Sequence, residues 1–537
     1  MTPINPEIPL PSIHEIDIEA LDALIQRLND AKDYNLTLSA EDIQLLLAAL
    51  ATLSILQTDL SSHDVTIHKL RKLLGIVVAS ETLSTLLNKK QTSTSKKPKS
   101  RKKNNTEKPN TIKPNVEHHP LETLSKGDLC PECKIGTLSK VEPGVLLRIT
   151  GHSPYEGIRH IMERLRCNAC GQYFTADLPD EVKADGDSHQ KYGYSARSIM
   201  AINKYFMGSP FYRQETLQDI LGVPITASTI YDQCEYLGND AHPVYKVFLE
   251  LGANAKHFYL DDTTNRILNQ KEIIKAQRKT NKPQKRTGTY TSGVIATTVE
   301  GHDIVLFQTN IGHAGEWIDE ILQKREPGQA PPIVMSDALS HNRPSKVTVI
   351  QAFCNVHARR QFVDVIHQFP QQVEHVLNLY KGIWVNENKA NAQSMNDAQR
   401  LVHHREHSLP IMAQIREWGE QQLAQAGFEE HSGLGKAIRY FLKHFDALTR
   451  FCTVEGAKID NNPMEAQLKM IARGRKNSSF FKTLAGASVG DVITSVIATC
   501  VRAEVSPFDY LNAIQRHQDA VKANPHAWLP WNYHLNL

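Results

Sequence analysis

The sequence is poor in cysteine and nearly balanced in charge. Its 537 residues include only 8 cysteines, too few for the disulfide framework of a small secreted protein. The formal net charge is +3 at pH 7, so the overall charge indicates no particular class of partner. Any acidic partner must be recognised by local clusters of Lys and Arg.

Features of membrane and exported proteins are also missing. The most apolar stretch that we recognise, Leu45 to Leu56, has about half the length of a membrane span. Met1 to Pro11 has no basic flank before an apolar segment, so we expect no signal peptide. We therefore expect a cytoplasmic protein without a membrane partner.

Four of the cysteines form two Cys-x-x-Cys pairs. Tetrahedral zinc is commonly held by four converging thiolates, and two such pairs supply them. We predict one structural Zn²⁺ in a module spanning residues 121–180, bound by Cys130, Cys133, Cys167 and Cys170. The remaining cysteines (Cys234, Cys354, Cys452 and Cys500) are expected to be buried.

The second half of the chain contains an ordered series of predicted elements. His257 to Thr263 is a predicted strand that ends in acids, and two Thr- and Val-rich runs follow it. A helix over Ala314 to Arg325 leads to the strand Pro332 to Asp337. The full order is three strands, helix, strand, short helix, strand and helix, which predicts an α/β ribonuclease-H-like core.

A third acidic position lies in the segment Asp460-Asn461-Asn462-Pro463-Met464-Glu465. Asp460 and Pro463 predict the start of a capped helix, with Glu465 in its first turn. Lys469, Arg473 and Lys476 recur on the face of Glu465. The alternatives are a solvated amphipathic helix, or a carboxylate that binds a cation beside phosphate-binding groups.

Several of these segments resemble insertion-sequence-66 family transposases, which are bacterial DDE transposases. The matching stretches are Leu260 to Thr263, Val356 to Phe362, Leu434 to Tyr440, Asp460 to Glu465 and Gly474 to Asn477. The resemblance extends from about residue 40 to about residue 515. It implies the catalytic triad Asp261, Asp337 and Glu465.

The resemblance also implies the cofactors and DNA contacts. The triad would bind two Mg²⁺ or Mn²⁺ ions, which catalyse cleavage of element ends and strand transfer. The expected phosphate contacts are Lys469, Arg473, Arg475 and Lys476, with Arg359 and Arg360 as weaker candidates. The family usually has Asp-Glu-Thr where this chain has Asp261-Asp262-Thr263, so Asp262 remains an alternative ligand. We prefer Asp261, which alternates with His257 and Tyr259 along the strand.

The N-terminal part predicts assembly and DNA contact. Leu46, Leu53, Leu60, Ile67 and Leu74 recur every seven residues, which favours a coiled coil over an ordinary amphipathic helix. Residues 88–120 are basic and of low complexity, either a solvated linker or a phosphate-binding segment. Three predicted helices after the zinc module, Ser195 to Phe206, Tyr212 to Leu221 and Ala227 to Leu237, fit either a helix-turn-helix or a packed core.

These predictions divide the chain into nine parts. They are an N-terminal extension (1–40), a coiled coil (41–87), a disordered linker (88–120), the zinc module (121–180), a helical DNA-binding region (181–250), the first part of the core (251–365), a helical insertion (366–454), the last part of the core (455–485) and a C-terminal helical region (486–537).

The predicted function is that of a DNA transposase. Its partners would be the terminal inverted repeats, target DNA and a second copy of the chain, with accessory proteins of the same element also possible. We expect it in the bacterial cytoplasm, associated with the nucleoid. The alternatives are a nuclease of the same fold without strand transfer, and an inactive or domesticated DNA-binding protein.

Overall fold

The computed structural model describes the chain mainly from residue 153 onwards. The longest described ranges are 190–276, 288–425 and 431–537, with 153–166, 173–187, 283–286, the single residues 168 and 429 and short stretches within 24–46 and 125–138. The four predicted zinc ligands lie outside the described residues. So do the basic linker and the coiled coil, apart from residues 41–44 and 46.

The chain divides into two compact units. The first comprises Met1–Ser95 and Phe362–Asn378, and within it Arg27 pairs with Asp42 at 2.9 Å. The second comprises Lys96–Gln361 and Leu379–Leu537 and contains the sheets described below.

A five-stranded mixed sheet forms the centre of the second unit. Two short strands precede it in sequence, β1 (Arg164–Arg166) and β2 (Tyr173–Thr175), which pair with each other. The spatial order is β7-β6-β3-β8-β9, with β3, β6 and β7 antiparallel and β3, β8 and β9 parallel. Its strands are β3 (His257–Asn265), β6 (Thr289–Thr297), β7 (Asp303–Asn310), β8 (Ile333–Ser336) and β9 (Ile350–Phe353).

This mixed sheet has the element order that the sequence predicted. Helix α5 (Ala314–Leu322) connects β7 to β8, and a 3₁₀ turn (Ser340–Asn342) precedes β9. A small hairpin of β4 (Ile273–Ala276) and β5 (Pro283–Arg286), which we did not predict, lies between β3 and β6.

Four helices precede the sheet. They are α1 (Asp180–Ala184), α2 (Tyr194–Ala201), α3 (Phe211–Ile220) and α4 (Ala227–Ala253), with a π-helical turn (Ile202–Phe206) after α2. We predicted that the last helix ends at Leu237, but it continues for four more turns. Gly238 explains this difference, because a Cβ there would lie 3.2 Å from Val489 Cγ1. The glycine therefore permits close helix packing instead of ending the helix.

The helices that follow the sheet form the predicted insertion and the remainder of the core. Helix α6 (Asn355–Val363) ends the predicted first part of the core. The insertion region holds α7 (Pro370–Ala392), α8 (Asp397–His407), α9 (Leu409–Ala424), α10 (Gly433–Lys443), α11 (Phe445–Leu448) and α12 (Arg450–Thr453). After it come α13 (Asn462–Ser478), α14 (Leu484–Arg502), α15 (Pro507–Arg516) and α16 (Gln518–Ala523).

Helix α14 covers the exposed edge of the sheet. Three side chains spaced one turn apart, Asp491, Ser495 and Thr499, accept hydrogen bonds from the backbone N–H groups of Thr309, Phe307 and Val305 on β7. Without these acceptors, the N–H groups of an edge strand would be buried without partners. Most of α14 lies within residues 486–537, which we predicted as a C-terminal helical region.

Among the described helices, α14 is long and apolar enough to cross a membrane by length and composition alone. It is longer than Leu45 to Leu56, the segment on which our sequence argument relied. However, 67% of its apolar window is buried inside the protein. Its packing on α4 and β7 marks it as a core helix.

Candidate active site

Three separate elements bring the predicted carboxylates together. Asp261 lies on β3, Asp337 directly follows β8, and Glu465 occupies the first turn of α13. Burial first, then the charge of Asp337, and then those of Asp262 and Glu465 raise the pKa of Asp261 to about 8. A raised carboxyl pKa of this kind is what burial beside neighbouring carboxylates produces, and a bound divalent cation would relieve the repulsion.

Asp337 is fixed by the turn that follows its strand. Its Oδ1 accepts hydrogen bonds from the Leu339 backbone N–H at 3.2 Å and from Asn342 Nδ2 at 3.0 Å. The residue is 8% exposed, and Asn342 is buried. The side chain therefore has one defined direction, as a metal ligand requires.

Glu465 lies beside two side chains that the sequence analysis had not placed in the site. His357 Nδ1 is 3.7 Å from Glu465 Oε1, and neither buried atom has a hydrogen-bond partner in the described part of the chain. The ligand atoms of Cys354, His357 and Glu465 all lie within 4.8 Å of one another. Because buried polar atoms rarely lack partners, the unpaired Glu465 oxygen fits a role in binding a cation.

Asp460 is not the N-cap residue of helix α13, although the sequence had predicted it to be. The helix begins at Asn462, and its N-cap residue Asn461 makes no side-chain capping bond. Instead, Asn461 Nδ2 donates to the carbonyl of Leu260, and its backbone N–H donates to Cys354 Sγ at 3.3 Å. Asp460, our predicted cap, accepts hydrogen bonds from Asn462.

A glycine allows α13 to approach the sheet. Gly293 on β6 is the register partner of Asp261. A Cβ at Gly293 would lie 2.4 Å from Met464 Cε and 3.3 Å from Leu468 Cδ2, both on α13. The absence of a side chain at Gly293 thus leaves room for Met464 and Leu468 of α13 to pack on the strand that pairs with that of Asp261.

The predicted DNA-contacting cations fall into different environments. Lys469, Arg473 and Lys476 are exposed along α13. Arg475 instead contacts the end of β3, where it donates to Thr263 Oγ1 at 3.0 Å and to Thr264. Arg359 and Arg360 are half-buried on α6, and both have interactions within the chain.

Asp262 belongs to a second cluster. Its Oδ2 lies 2.8 Å from His313 Nδ1, and the ring of His313 contacts that of His341. Nothing in the sequence indicated this cluster, because its residues come from three elements that are far apart in the chain.

A mixed α/β sheet covered by helices, with three carboxylates brought together at its centre, fits the catalytic core of a DDE transposase. The profile of the family described as "Transposase IS66 family" matches residues 189–489, more than half of the chain. The chain belongs to this family, as the resemblance of its motifs predicted. DDE transposases use divalent metal ions, and the clusters around Glu465 and Asp262 are candidate metal-binding groups.

Three uncharacterized proteins of Sinorhizobium fredii (strain NBRC 101917 / NGR234) are similar to this chain. The protein y4jD is 29% identical over 187 residues, which are 34% of this chain and 36% of y4jD. The protein y4hP is 23% identical over 400 residues, which are 71% of this chain and 68% of y4hP. The protein y4qI is 26% identical over 345 residues, which are 63% of this chain and 62% of y4qI. The chain thus spans little more than a third of y4jD and less than two thirds of y4qI.

Proposed function

We propose that this protein cleaves the ends of an insertion element and joins them to target DNA by metal-dependent phosphoryl transfer. The observation that carries the proposal is the convergence of three acids from separate elements, the buried Asp337 and the half-buried Asp261 and Glu465. Repulsion among these carboxylates would be relieved by divalent cations, and a set of carboxylate oxygens is what Mg²⁺ or Mn²⁺ prefers.

Each protein group has a distinct role in this proposal. Asp261, Asp337 and Glu465 hold the metal ions, for which we expect two sites. When bound, the ions supply activation of water and of the freed 3′-hydroxyl, and stabilisation of the leaving oxygen. Asn342 and Asn461 orient the ligands through their hydrogen bonds. Lys469, Arg473 and Lys476 contact DNA phosphates along α13.

The parts of the chain outside the described residues complete the proposal. The coiled coil would join two copies so that both element ends are held together. The basic linker would contact DNA, and the four paired cysteines would bind a structural zinc ion. We place the protein in the bacterial cytoplasm, with accessory proteins of the same element as possible further partners.

The test uses DNA that carries the inverted repeats flanking the gene. Full-length protein should nick this DNA and join its 3′ ends to target DNA only with Mg²⁺ or Mn²⁺. Asp261→Asn, Asp337→Asn and Glu465→Gln should each abolish cleavage but retain DNA binding, because each keeps the side chain's shape and removes a metal-binding charge. Glu417→Gln, at an exposed position on α9, is the matched control.

Other outcomes would change the assignment. Nicked DNA without any joined product would identify a nuclease. DNA binding without metal-dependent cleavage would identify a binding protein. Cleavage that survives Asp261→Asn but is lost in Asp262→Asn would make Asp262 the metal ligand.

A further inference from the structure

Asp262, His313 and His341 form a compact group behind the candidate active site. Asp262 follows Asp261 on β3, His313 is the N-cap of α5, and His341 lies in the 3₁₀ turn after β8. Their ligand atoms all lie within 4.8 Å of one another. The rings of His313 and His341 have centroids 4.3 Å apart.

This group lies on a different face of the sheet from the three carboxylates. Successive side chains on a strand point to opposite faces. Tyr259, two residues before Asp261, packs in the same cluster as Met464 and Leu468 of α13. Leu260, two residues before Asp262, packs in the other cluster with residues of α5. A ligand at Asp262 would therefore occupy a second site.

The backbone holds the group in place. A Cβ at Gly315, two residues after His313, would lie 2.5 Å from the carbonyl oxygens of both His341 and Arg343. The start of α5 thus packs directly on the turn that carries His341. The ring of Tyr290 also lies against His313, with centroids 4.0 Å apart. The two imidazoles and the carboxylate therefore lie close together before any metal ion binds.

We propose that Asp262, His313 and His341 bind one divalent transition-metal ion, with Zn²⁺ as the probe. Two imidazole nitrogens and one carboxylate oxygen suit zinc and its neighbours, whereas Mg²⁺ prefers oxygen ligands alone. Tetrahedral zinc with bonds of about 2.0 Å separates its ligand atoms by about 3.3 Å. The 2.8 Å contact between Asp262 and His313 would open only slightly to admit it.

The simpler interpretation is an Asp–His hydrogen bond without a metal. That bond accounts for Asp262 and His313 but leaves His341 unexplained. In the described part of the chain, His341 has a ring contact with His313 and no hydrogen-bonded partner. A metal ion bound to Asp262 and His313 would give the His341 imidazole nitrogen a partner.

The position of this site suggests a structural role. His341 immediately precedes Asn342, which donates to Asp337, and Asp262 immediately follows Asp261. A metal ion bound to Asp262 and His341 would link the strand of one catalytic acid, Asp261 on β3, to the turn that orients the other, Asp337. The ion would stabilise the arrangement of the three catalytic acids from the opposite face of the sheet.

Zinc counting in full-length protein tests the proposal. Protein stripped with a chelator is reloaded with Zn²⁺, and bound zinc is measured by elemental analysis. Zinc at the carboxylate site is common to all variants and cancels between them. Wild type should hold about one zinc ion per chain more than His313→Ala or His341→Ala. His431→Ala, which removes an exposed imidazole, should match wild type. Zinc at the predicted cysteine site cancels in these differences.

A ligand exchange provides the second measurement. His341→Cys keeps a metal-binding atom at this position, so it should retain the wild-type zinc content. Loaded with Co²⁺, it should gain a thiolate-to-cobalt absorption band relative to wild-type protein. Equal zinc content in wild type and His341→Ala, or no additional band in His341→Cys, would overturn the proposal. Both readouts are independent of whether the protein transposes DNA.

Discussion

Asn461 Nδ2 donates a hydrogen bond of 3.1 Å to the carbonyl oxygen of Leu260, the residue immediately before Asp261. Asn461 also precedes helix α13 and is completely buried. The helix that carries Glu465 is thus attached, through the N-cap residue that precedes its first turn, to the strand that carries Asp261. This bond makes Asn461 a positioning residue for the candidate active site.

Asn461→Ala should reduce both stability and DNA cleavage. The substitution leaves the buried Leu260 carbonyl without its donor, which costs about 1–3 kcal/mol of unfolding free energy. It also frees the start of α13, so cleavage should fall more than the stability loss alone explains. Urea unfolding and single-turnover cleavage on the same protein measure the two effects. Asn462→Ala, at an exposed neighbouring position, should change neither appreciably.

Packing between Gly293 and Met464 should control the position of Glu465. Gly293→Ala places a methyl group against Met464 Cε and so should displace α13, lowering cleavage with a smaller loss of stability. Met464→Ala removes the obstructing side chain, so the double variant should lose less activity than the two single losses predict.

The matched control for this pair is Gly474→Ala. That glycine also lies on α13, but nothing lies within 4 Å of a Cβ built there. It should keep full activity and gain a little helix stability. Strictly additive losses for Gly293→Ala and Met464→Ala would show that this contact does not set the site.

The sheet was predictable because its strands have strong local patterns. Phe258, Leu260 and Ile304 are apolar residues in short runs separated by turn residues, and the strand order follows from these runs. The acids Asp261 and Asp337 terminate such runs, and Glu465 lies three residues after the asparagine pair of a helix start. Local pattern and family resemblance together predicted the elements on which these acids lie, while their catalytic role stays a prediction.

Features that depend on contacts between distant residues were not predictable. The partner of Asn461 is 201 positions away in the chain, and Asp262 and His313 are 51 positions apart. Gly238 illustrates the same limit, since the close approach of Val489 to this glycine involves a residue that is distant in the sequence. Spacing in one sequence contains no information about such packing.

Stability should depend on pH through Asp491, which α14 places against β7. Burial raises its pKa from 3.8 to about 7, although hydrogen bonds from Thr309 oppose this shift. Between these values the unfolded chain releases the proton while the folded protein retains it. The protonated Asp491 carboxyl therefore makes its full contribution to the free energy of unfolding below about pH 4, and this contribution is lost as the pH rises to about 7.

Asp491→Asn removes this titration. Relative to wild type, its unfolding free energy should increase by up to about 4 kcal/mol as the pH is raised across this window. Urea denaturation of both proteins at several pH values measures the difference. Asp519→Asn, which changes an exposed carboxylate, should follow the wild-type curve. A constant offset between Asp491→Asn and wild type would contradict a raised pKa.

The exposed cations of α13 should determine the salt dependence of DNA binding. Each Lys or Arg that neutralises a phosphate releases condensed counterions, so its removal lowers the slope of log affinity against log salt by about 1. Lys469→Gln, Arg473→Gln and Lys476→Gln should each show this change, because all three side chains are exposed.

Arg475→Gln should instead weaken the packing of α13 on β3, because its guanidinium donates to Thr263 and Thr264. Its salt slope should stay close to that of wild type while its melting temperature falls. Fluorescence anisotropy titrations over a range of salt concentrations distinguish the two groups. Unchanged slopes in all three exposed variants would mean that DNA binds to another surface.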